Sequence, residues 1–226
     1  MKMKCINDIL FEDNHLLIIN KRPGELSQLD KTGDNSVLEK YKLYLKKKHN
    51  KKGNVFLGLV NRLDRPTSGV LILAKTSKAL SRMNKMLVER KILKKYIAVV
   101  EKKPIRKKNT LINFLKKNQK QNKSFIVDET TKDSKKAILH YTTLKELDNY
   151  SLLEISLETG RHHQIRVQLS NIGCSIKGDL KYGSKRSNSD KSICLHANEI
   201  SFIHPVSKNE IKIKANTPQN NIWKCM

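Results

Sequence analysis

The chain has 226 residues, of which 38% are hydrophobic and 30% are charged. This length allows one large domain or two small ones with a buried core, and the balance is that of a soluble globular protein. No apolar run is long enough to span a bilayer, and no signal-peptide core follows the basic N-terminus. A membrane protein and a secreted protein are therefore disfavoured, and the cytoplasm is the expected location.

The net charge of +25 indicates a polyanionic partner, most commonly nucleic acid. The excess comes mainly from 37 lysines against 9 arginines, and codon bias in an AT-rich genome also produces lysine-rich chains. Arginine is more informative, because four of the nine fall in two short segments, at Arg62, Arg65, Arg161 and Arg166. A guanidinium offers a planar, bidentate fork that an ammonium cannot copy, so these two segments are candidate sites.

The four cysteines are scattered, with no Cys-x-x-Cys pair and no histidine at ligand spacing. They are Cys5, Cys174, Cys194 and Cys225. We therefore expect reduced, mostly buried thiols, and neither a disulfide framework nor a metal site.

Hydrophobic periodicity and capping residues predict strands and helices along the whole chain. The first half is predicted to contain a strand pair at 9–20, a helix from Ser36 to about His49, strands at 55–60 and 69–74, and a helix from Ser77 to about Lys91. The second half is predicted to contain a strand at 93–100, a basic stretch at 102–127, strands at 137–147 and 151–157, a helix from Arg161 to about Asn171 capped by Thr159, and strands at 193–203 and 211–214.

Strands outnumber helices and occur in runs, which favours an α+β fold with a mixed or antiparallel sheet. No internal repeat and no linker is apparent, so residues 1–226 are expected to form a single domain. The stretch 102–127 contains nine basic residues and no acidic one. A solvated surface hairpin and a direct RNA contact are equally compatible with this pattern.

Residues 61–69, Asn-Arg-Leu-Asp-Arg-Pro-Thr-Ser-Gly, form a predicted loop between two apolar strands. Asp64 lies there between Arg62 and Arg65, and nearby positive charge lowers the pKa of a carboxyl and keeps it ionised. An ionised carboxylate suits a nucleophile or a general base. From the residues alone, a surface ion pair is the commoner explanation of such a pattern.

Residues 158–166, Glu-Thr-Gly-Arg-His-His-Gln-Ile-Arg, combine two histidines with two arginines. Adjacent histidines on a helix point to different faces and no third ligand is near, so metal binding is not expected. Arg161 and Arg166 would diverge by roughly 140° on a helix. We therefore expect one of them to face inward and the other to face a phosphate.

Both segments resemble signatures of the RluA family of pseudouridine synthases. Residues 61–69 are similar to its His-Arg-Leu-Asp-x-x-Thr-Ser-Gly, and residues 159–166 to its Thr-Gly-Arg-x-His-Gln-Ile-Arg. Residues 178–183 match its Gly-Asp-x-x-Tyr-Gly, and further blocks lie at 12–21, 94–98 and 195–205. Any one block is compatible with chance, but the ordered set over about residues 9–215 is not.

The resemblance implies a mixed, mainly antiparallel central sheet with flanking helices, and it assigns roles to single residues. Asp64 is implied to be the catalytic carboxylate, Tyr96 to stack on the uracil, and Arg166 to pair with Asp64. The residues expected to bind substrate are Arg62, Leu63 and Arg161. A planar side chain such as Arg62 can fill the gap left by a flipped base. No cofactor and no metal are implied.

The chain departs from the family at Asn61, where histidine is usual, and at Gln168, where another histidine is frequent. Neither position is the catalytic carboxylate, so activity should survive. The family blocks begin by residue 9, so we expect a stand-alone catalytic domain without the N-terminal RNA-binding domain of many relatives. The lysine-rich surface is expected to replace part of that domain's affinity.

The leading hypothesis is an RNA pseudouridine synthase acting on structured ribosomal or transfer RNA, as a monomer without an obligate protein partner. The alternative is an RNA-binding or RNA-folding factor that keeps the fold without essential catalysis. Pure binding does not require a carboxylate among phosphates, where it would repel them, and this disfavours the alternative. The sequence does not identify the target RNA or the target uridine.

Overall fold

The computed structural model describes residues 6–29, 33–219 and 221–225. Its contacts divide the chain into two compact units, one formed by Met1–Leu93 with Ala197–Pro218 and the other by Lys94–His196 with Gln219–Met226. The expected single domain over residues 1–226 stays a prediction.

Eleven strands and four α-helices are assigned within the described residues. The strands are β1 (Ile9–Glu12), β2 (Leu16–Lys21), β3 (Gly58–Leu59), β4 (Ser68–Ala74), β5 (Leu93–Glu101), β6 (Lys108–Asn118), β7 (Lys123–Val127), β8 (Lys135–Glu146), β9 (Tyr150–Leu157), β10 (Leu195–Ile203) and β11 (Glu210–Lys214). The helices are α1 (Val37–Lys48), α2 (Ser77–Val88), α3 (Gln164–Asn171) and α4 (Asn221–Cys225). Short 3-10 helices occur at Ile6–Asp8 and Leu180–Tyr182.

The first unit is built around the antiparallel pair β2 and β4. The strand order is β1-β2-β4-β10, with β3 also on β4 and β11 on β10. The register of the central pair runs from Leu16 opposite Ala74 to Lys21 opposite Gly69. All seven residues of β4 are buried, which explains why its sequence is a continuous apolar run without alternation.

Helices α1 and α2 begin where the sequence supplies a side-chain cap. The Ser36 hydroxyl accepts a hydrogen bond from the backbone N–H of Glu39, and the Thr76 hydroxyl accepts one from Ala79. The buried Met83 of α2 packs in the same core cluster as Ile72 of β4. The Met83 contact fixes α2 against the sheet of the first unit, and α1 is joined to β1 by the Tyr44 hydroxyl, which donates to the Glu12 carboxylate at 3.1 Å.

The second unit contains the strands in the order β5-β9-β8-β6-β7, and each neighbouring pair is antiparallel. In β6 and β8 the side chains alternate between a buried and a more exposed face, as expected for antiparallel strands covered on one side. Leu115 and Ala137 of the buried face pack against Val167 of α3 and against Tyr182. The basic stretch 102–127 therefore supplies the hairpin β6–β7.

Two predictions about local structure were wrong. The expected strand at 55–60 is reduced to Gly58–Leu59, and Phe56 is exposed. The third helix begins at Gln164, not at Arg161, because His163 adopts a left-handed conformation with φ 54° immediately before it. Thr159 does not cap the helix backbone, since its hydroxyl donates to the Gln164 side chain at 2.8 Å.

The predicted α+β fold with a mixed, mainly antiparallel sheet is confirmed. Cys174 and Cys194 are free and buried and Cys225 is free and exposed, whereas Cys5 lies outside the described residues. Within the part of the chain that the structure describes, no helix is long and apolar enough to cross a membrane.

Candidate active site

Residues 60–67 form the loop that joins β3 to β4 and carries Asp64, which is half-buried. The backbone turns at Asp64, because the Thr67 N–H donates to the backbone carbonyl oxygen of Asp64 at 3.0 Å. Leu63 is buried, and its backbone exchanges two hydrogen bonds with the Ser27 hydroxyl at 2.9 and 3.2 Å. The expected substrate-binding role of Leu63 stays a prediction; its observed role is to anchor the loop.

Lys21, at the end of β2, is fully buried beneath the same loop. Its ammonium donates to the carbonyl oxygens of Arg22 at 2.9 Å and Arg65 at 3.2 Å. Burial lowers the pKa of Lys21 to about 8, while the negative charges of Glu25 and Asp64 oppose that shift. A buried cation therefore supports the backbone next to the carboxylate, a role that the sequence patterns did not reveal.

Arg62 and Arg65 flank Asp64 and are both exposed. Arg65 reaches away along the surface, where its guanidinium pairs with Asp34 at 2.8 Å and donates to the Gly24 carbonyl at 3.1 Å. Arg65 thus ties the loop to the segment after β2, which gives it a structural role. Arg62 is exposed, which is compatible with the role that the resemblance implies, namely to fill the gap that a flipped base leaves in the RNA stack.

Asn61 occupies the position where the family usually has histidine. Its amide oxygen accepts the Ile72 N–H at 2.8 Å, and its amide nitrogen donates to the Val70 carbonyl at 3.4 Å. The side chain therefore binds the start of the loop to β4.

Tyr96 lies on β5 opposite Ile155 of β9 and is 8% exposed. The register places Tyr96, Ile155 and Tyr141 on one face of the second unit's sheet. This is the face that α3 covers. The implied stacking of Tyr96 on uracil stays a prediction.

Arg166 of α3 is held rigidly by two neighbours within the second unit. Its Nε and Nη2 donate to the two carboxylate oxygens of Asp179 at 2.7 and 2.8 Å, and both side chains are buried. The Tyr182 ring centroid lies 5.0 Å from the guanidinium carbon. The pairing of Arg166 with Asp64 stays a prediction, whereas its pairing with Asp179 is observed and was not foreseen.

His163 and Tyr182 complete this cluster. The His163 Nδ1 lies 2.9 Å from the Tyr182 hydroxyl, which also accepts the Ser124 N–H at 2.8 Å. Burial lowers the pKa of His163 to about 2, and the nearby charge of Arg166 adds to the effect. The imidazole is therefore neutral at physiological pH and acts as a hydrogen-bonding support.

Arg161 lies in the turn before α3, so the expected 140° divergence on a helix does not apply. Its side chain is exposed and donates to the Lys136 carbonyl at 3.0 Å. Gln168, the other departure from the family, donates to the Leu111 carbonyl and the Asn113 side chain at 3.1 and 2.8 Å. It binds α3 to β6 and has a structural role.

The six predicted site residues are divided equally between the units. Arg62, Leu63 and Asp64 share one loop of the first unit, and Tyr96, Arg161 and Arg166 belong to the second. The described residues contain no group of three or more His, Cys, Asp or Glu side chains arranged to hold a metal ion.

Comparison with known proteins identifies the family. The family model for RNA pseudouridylate synthase matches residues 15–171. Over 223 residues the chain is 33% identical to ribosomal large subunit pseudouridine synthase D of Zymomonas mobilis, covering 94% of this chain and 70% of that protein. It is 37% identical over 219 residues to ribosomal large subunit pseudouridine synthase C of Buchnera aphidicola, covering 92% and 66%.

The fold agrees with this assignment. The structure of human RNA pseudouridylate synthase domain containing 4 matches with a TM-score of 0.79 at 22% identity, covering 97% of this chain and 92% of that one. At this identity the match supports the fold alone. Together with the sequence matches, it leads to one conclusion: the chain belongs to the RNA pseudouridylate synthase family.

Proposed function

We propose that this RNA pseudouridine synthase converts specific uridines of ribosomal RNA to pseudouridine, with transfer RNA as the second substrate class. The relatives in Zymomonas and Buchnera are named for the large ribosomal subunit, which supports ribosomal RNA. The net charge of +25 suits a polyanionic substrate. Such RNA resides in the cytoplasm, which is where we expect the protein to act.

One observation supports Asp64 as the catalytic carboxylate. The loop around it is held by buried hydrogen bonds from Ser27 and Lys21, while the Asp64 side chain itself is only half-buried. A fixed backbone that presents a partly accessible carboxylate is what a positioned nucleophile or base requires. A merely structural surface ion pair does not require such an anchored loop.

The proposed reaction is an isomerisation, so no cofactor is needed. In one route Asp64 attacks C1′ as the bond from C1′ to uracil N1 breaks, and the Asp64–C1′ bond breaks again when uracil C5 bonds to C1′. In the other route Asp64 removes a ribose proton as the same bond breaks and returns that proton to the ribose when C5 bonds to C1′. The uracil then turns and forms a bond from its C5 to C1′, the proton on C5 is lost, and N1 gains a proton. Tyr96 would stack on the uracil, Arg166 would hold Asp64 ionised, and Arg62 would fill the vacated stack.

Arg161 and Leu63 are proposed to make the remaining contacts with the substrate. Arg161 is exposed at the turn before α3, where its guanidinium is suited to a phosphate. Leu63 would offer an apolar contact next to Asp64. No obligate protein partner is proposed, and the protein is expected to act as a monomer.

Replacing Asp64 by Asn tests this proposal. Cells lacking the protein are complemented with the wild-type chain, with Asp64→Asn, or with Asp148→Asn, which changes an exposed carboxylate in the turn between β8 and β9. Pseudouridine is then mapped across ribosomal and transfer RNA. The wild-type chain and Asp148→Asn should restore the missing sites, and Asp64→Asn should not.

The alternative function, an RNA-binding or RNA-folding factor, predicts a different result in the same cells. Asp64→Asn would then restore ribosome assembly and growth as well as the wild-type chain does. Restoration of pseudouridine itself by Asp64→Asn would refute the catalytic role of this residue.

A further inference from the structure

The sheet of the second unit exposes side chains at its β6–β7 end, on the face opposite to the one against which α3 packs. In β6 the side chains of Thr110, Ile112, Phe114 and Lys116 alternate with the buried Leu111 and Leu115. The register places Ile138 opposite Ile112, Lys136 opposite Phe114, and Phe125 opposite Lys116. We call the surface formed by the residues listed here the outer face: Thr110, Ile112, Phe114, Lys116, Phe125, Lys136, Ile138 and His140.

The outer face lies on the side of the sheet opposite to Tyr96. The register aligns Tyr96 with Ile155 of β9 and Tyr141 of β8, whereas His140 is aligned with Ser156. Because neighbouring residues of a strand point to opposite faces, Tyr96 and His140 project in opposite directions. A ligand on the outer face is therefore not the reacting uridine.

Apolar and aromatic side chains form a contiguous exposed patch at the β6–β7 end of this face. Ile112 is 55% exposed and Phe125 is 39% exposed, and Phe114 and Ile138 are half-buried beside them. Neighbouring apolar side chains on three strands are unusual on a solvated surface and commonly mark an interaction site.

Positive charge surrounds this patch. Lys116 lies opposite Phe125, Lys136 lies opposite Phe114, and the Lys123 ammonium is 5.4 Å from the Phe125 ring centroid. The two carboxylates toward the β9 side are engaged, Glu154 with Lys95 at 3.5 Å and Glu158 with His140 at 2.7 Å. The lysines around the aromatic patch thus dominate its local charge.

A polar depression of about 630 Å³ adjoins the patch. Lys108, Thr110, His140, Thr142 and Ser156 are among the residues that line it. Hydroxyl, imidazole and ammonium groups of this kind can bond to phosphate, ribose or base edges.

We propose that the outer face binds a single-stranded segment of the RNA substrate, at a distance from the uridine that reacts. Bases would stack on Phe125 and Phe114, and phosphates would contact Lys116 and Lys136. Aromatic side chains among lysines are complementary to RNA, whereas an apolar protein partner would leave the lysines unpaired. This inference rests on the proposed function in one respect, that the substrate of the protein is RNA.

A triple variant with a matched control tests the outer face. The variant carries Lys116→Gln, Lys136→Gln and Phe125→Ala. The control carries Lys78→Gln, Lys85→Gln and Val88→Ala, which remove the same charge and one exposed apolar side chain from α2. Binding of each full chain to a fluorescent twelve-nucleotide oligouridine is measured against salt concentration, and thermal unfolding verifies that each remains folded.

The outer-face variant should bind oligouridine about tenfold more weakly, as expected for one lost stacking contact and two lost phosphate contacts. The slope of log affinity against log salt should decrease by about 1.4. The control should change affinity by less than about twofold. A single Phe125→Tyr change, which keeps an aromatic ring, should retain wild-type affinity.

Equal losses in the variant and the control would overturn the proposal, since only overall charge would then matter. Unchanged RNA affinity of the outer-face variant would also overturn the proposal. This includes the outcome in which sedimentation shows a change in self-association and RNA affinity stays the same. The test is separable from the catalytic proposal. Asp64→Asn should bind oligouridine normally and make no pseudouridine, whereas the outer-face variant should keep kcat on ribosomal RNA and raise KM.

Discussion

At the scale of single residues, the protein buries charges beside its candidate catalytic groups. Lys21 is fully buried under the Asp64 loop, and Arg166 and Asp179 form a buried bidentate pair. Buried charges are costly to desolvate, and they are tolerated only when hydrogen bonds and opposite charges satisfy them. Their cost is understandable if they fix the loop and the guanidinium that the reaction needs.

Asp179→Asn is expected to impair chemistry more than substrate binding. The amide cannot accept both charged hydrogen bonds, so Arg166 loses its fixed orientation, and the free energy of unfolding should fall by about 3 kcal/mol. Single-turnover pseudouridine formation should slow at least about tenfold, with KM little changed.

The matched control for this change is Asp148→Asn, an exposed carboxylate of the same unit. A variant that is less stable but reacts at the wild-type rate at low temperature would limit Asp179 to a structural role. Restoration of the rate by Asp179→Glu would instead support its action through Arg166.

At the scale of elements, Glu12 joins three parts of the first unit. At the end of β1, its carboxylate accepts hydrogen bonds from Lys48 of α1 at 2.8 Å, from Lys75 after β4 at 3.0 Å, and from the Tyr44 hydroxyl at 3.1 Å. Burial alone would raise the pKa of Glu12, but the bonds from Lys48 and Lys75 lower it to about 2.

Glu12→Gln should therefore lower the free energy of unfolding by about 2 kcal/mol at pH 7. The folded-state pKa of about 2 lies below the ordinary value of 4.5, so this stabilisation is present above pH 4.5 and is lost as the pH falls toward 2. Denaturant unfolding at pH 7 and pH 3 measures both quantities.

The control for Glu12 is Glu89→Gln, which removes an exposed carboxylate paired with Lys91 and should change the free energy of unfolding much less than Glu12→Gln does. An equal effect of Glu12→Gln at both pH values would contradict the linkage.

Most elements followed from local pattern, and the exceptions have physical causes. The apolar runs of β2 and β4 and the caps of α1 and α2 are local signals, so the sequence predicted them. The start of α3 depends on the left-handed conformation of His163, which Tyr182 supports from another segment. The pairing of Arg166 with Asp179 likewise depends on tertiary structure, which sequence spacing alone does not determine.

In the candidate site, too, some residues were predicted from the sequence and others became apparent only from tertiary contacts. Asp64, Arg62 and Arg166 were found through the distribution of arginine and the resemblance to a family. Lys21 and Asp179 belong to the matching blocks, but no pattern assigned them a contact. Arg65 received its structural role only from its pairing with Asp34.

At the scale of the whole molecule, charge determines how the protein approaches its substrate. A net charge of +25 attracts RNA over long distances and also promotes nonspecific binding. The exposed arginines at positions 62 and 161 and the lysines of the β6–β7 hairpin contribute to this field. Specificity must therefore come from the fit between fixed groups and RNA shape.

The wild-type chain should accordingly bind RNA with a strong dependence on salt. For about six phosphate contacts to a single strand, log affinity should fall with log salt with a slope of about −4. Fluorescence anisotropy with oligouridine between low and high salt measures the slope, and Asp64→Asn serves as the control with an equal slope. A flat dependence would show that the lysines do not supply the affinity.

Gly69, at the start of β4, has a consequence for mutational surveys of this enzyme. Its φ is +115°, and an added Cβ would overlap the backbone of Ala197, so no other residue fits there. A selection for active clones from a saturation library would keep glycine at 69 as strictly as aspartate at 64. Counting folded protein in the same library separates the two positions. Substitutions at Gly69 should remove the folded protein, whereas under the proposed role of Asp64 its substitutions should remove activity alone.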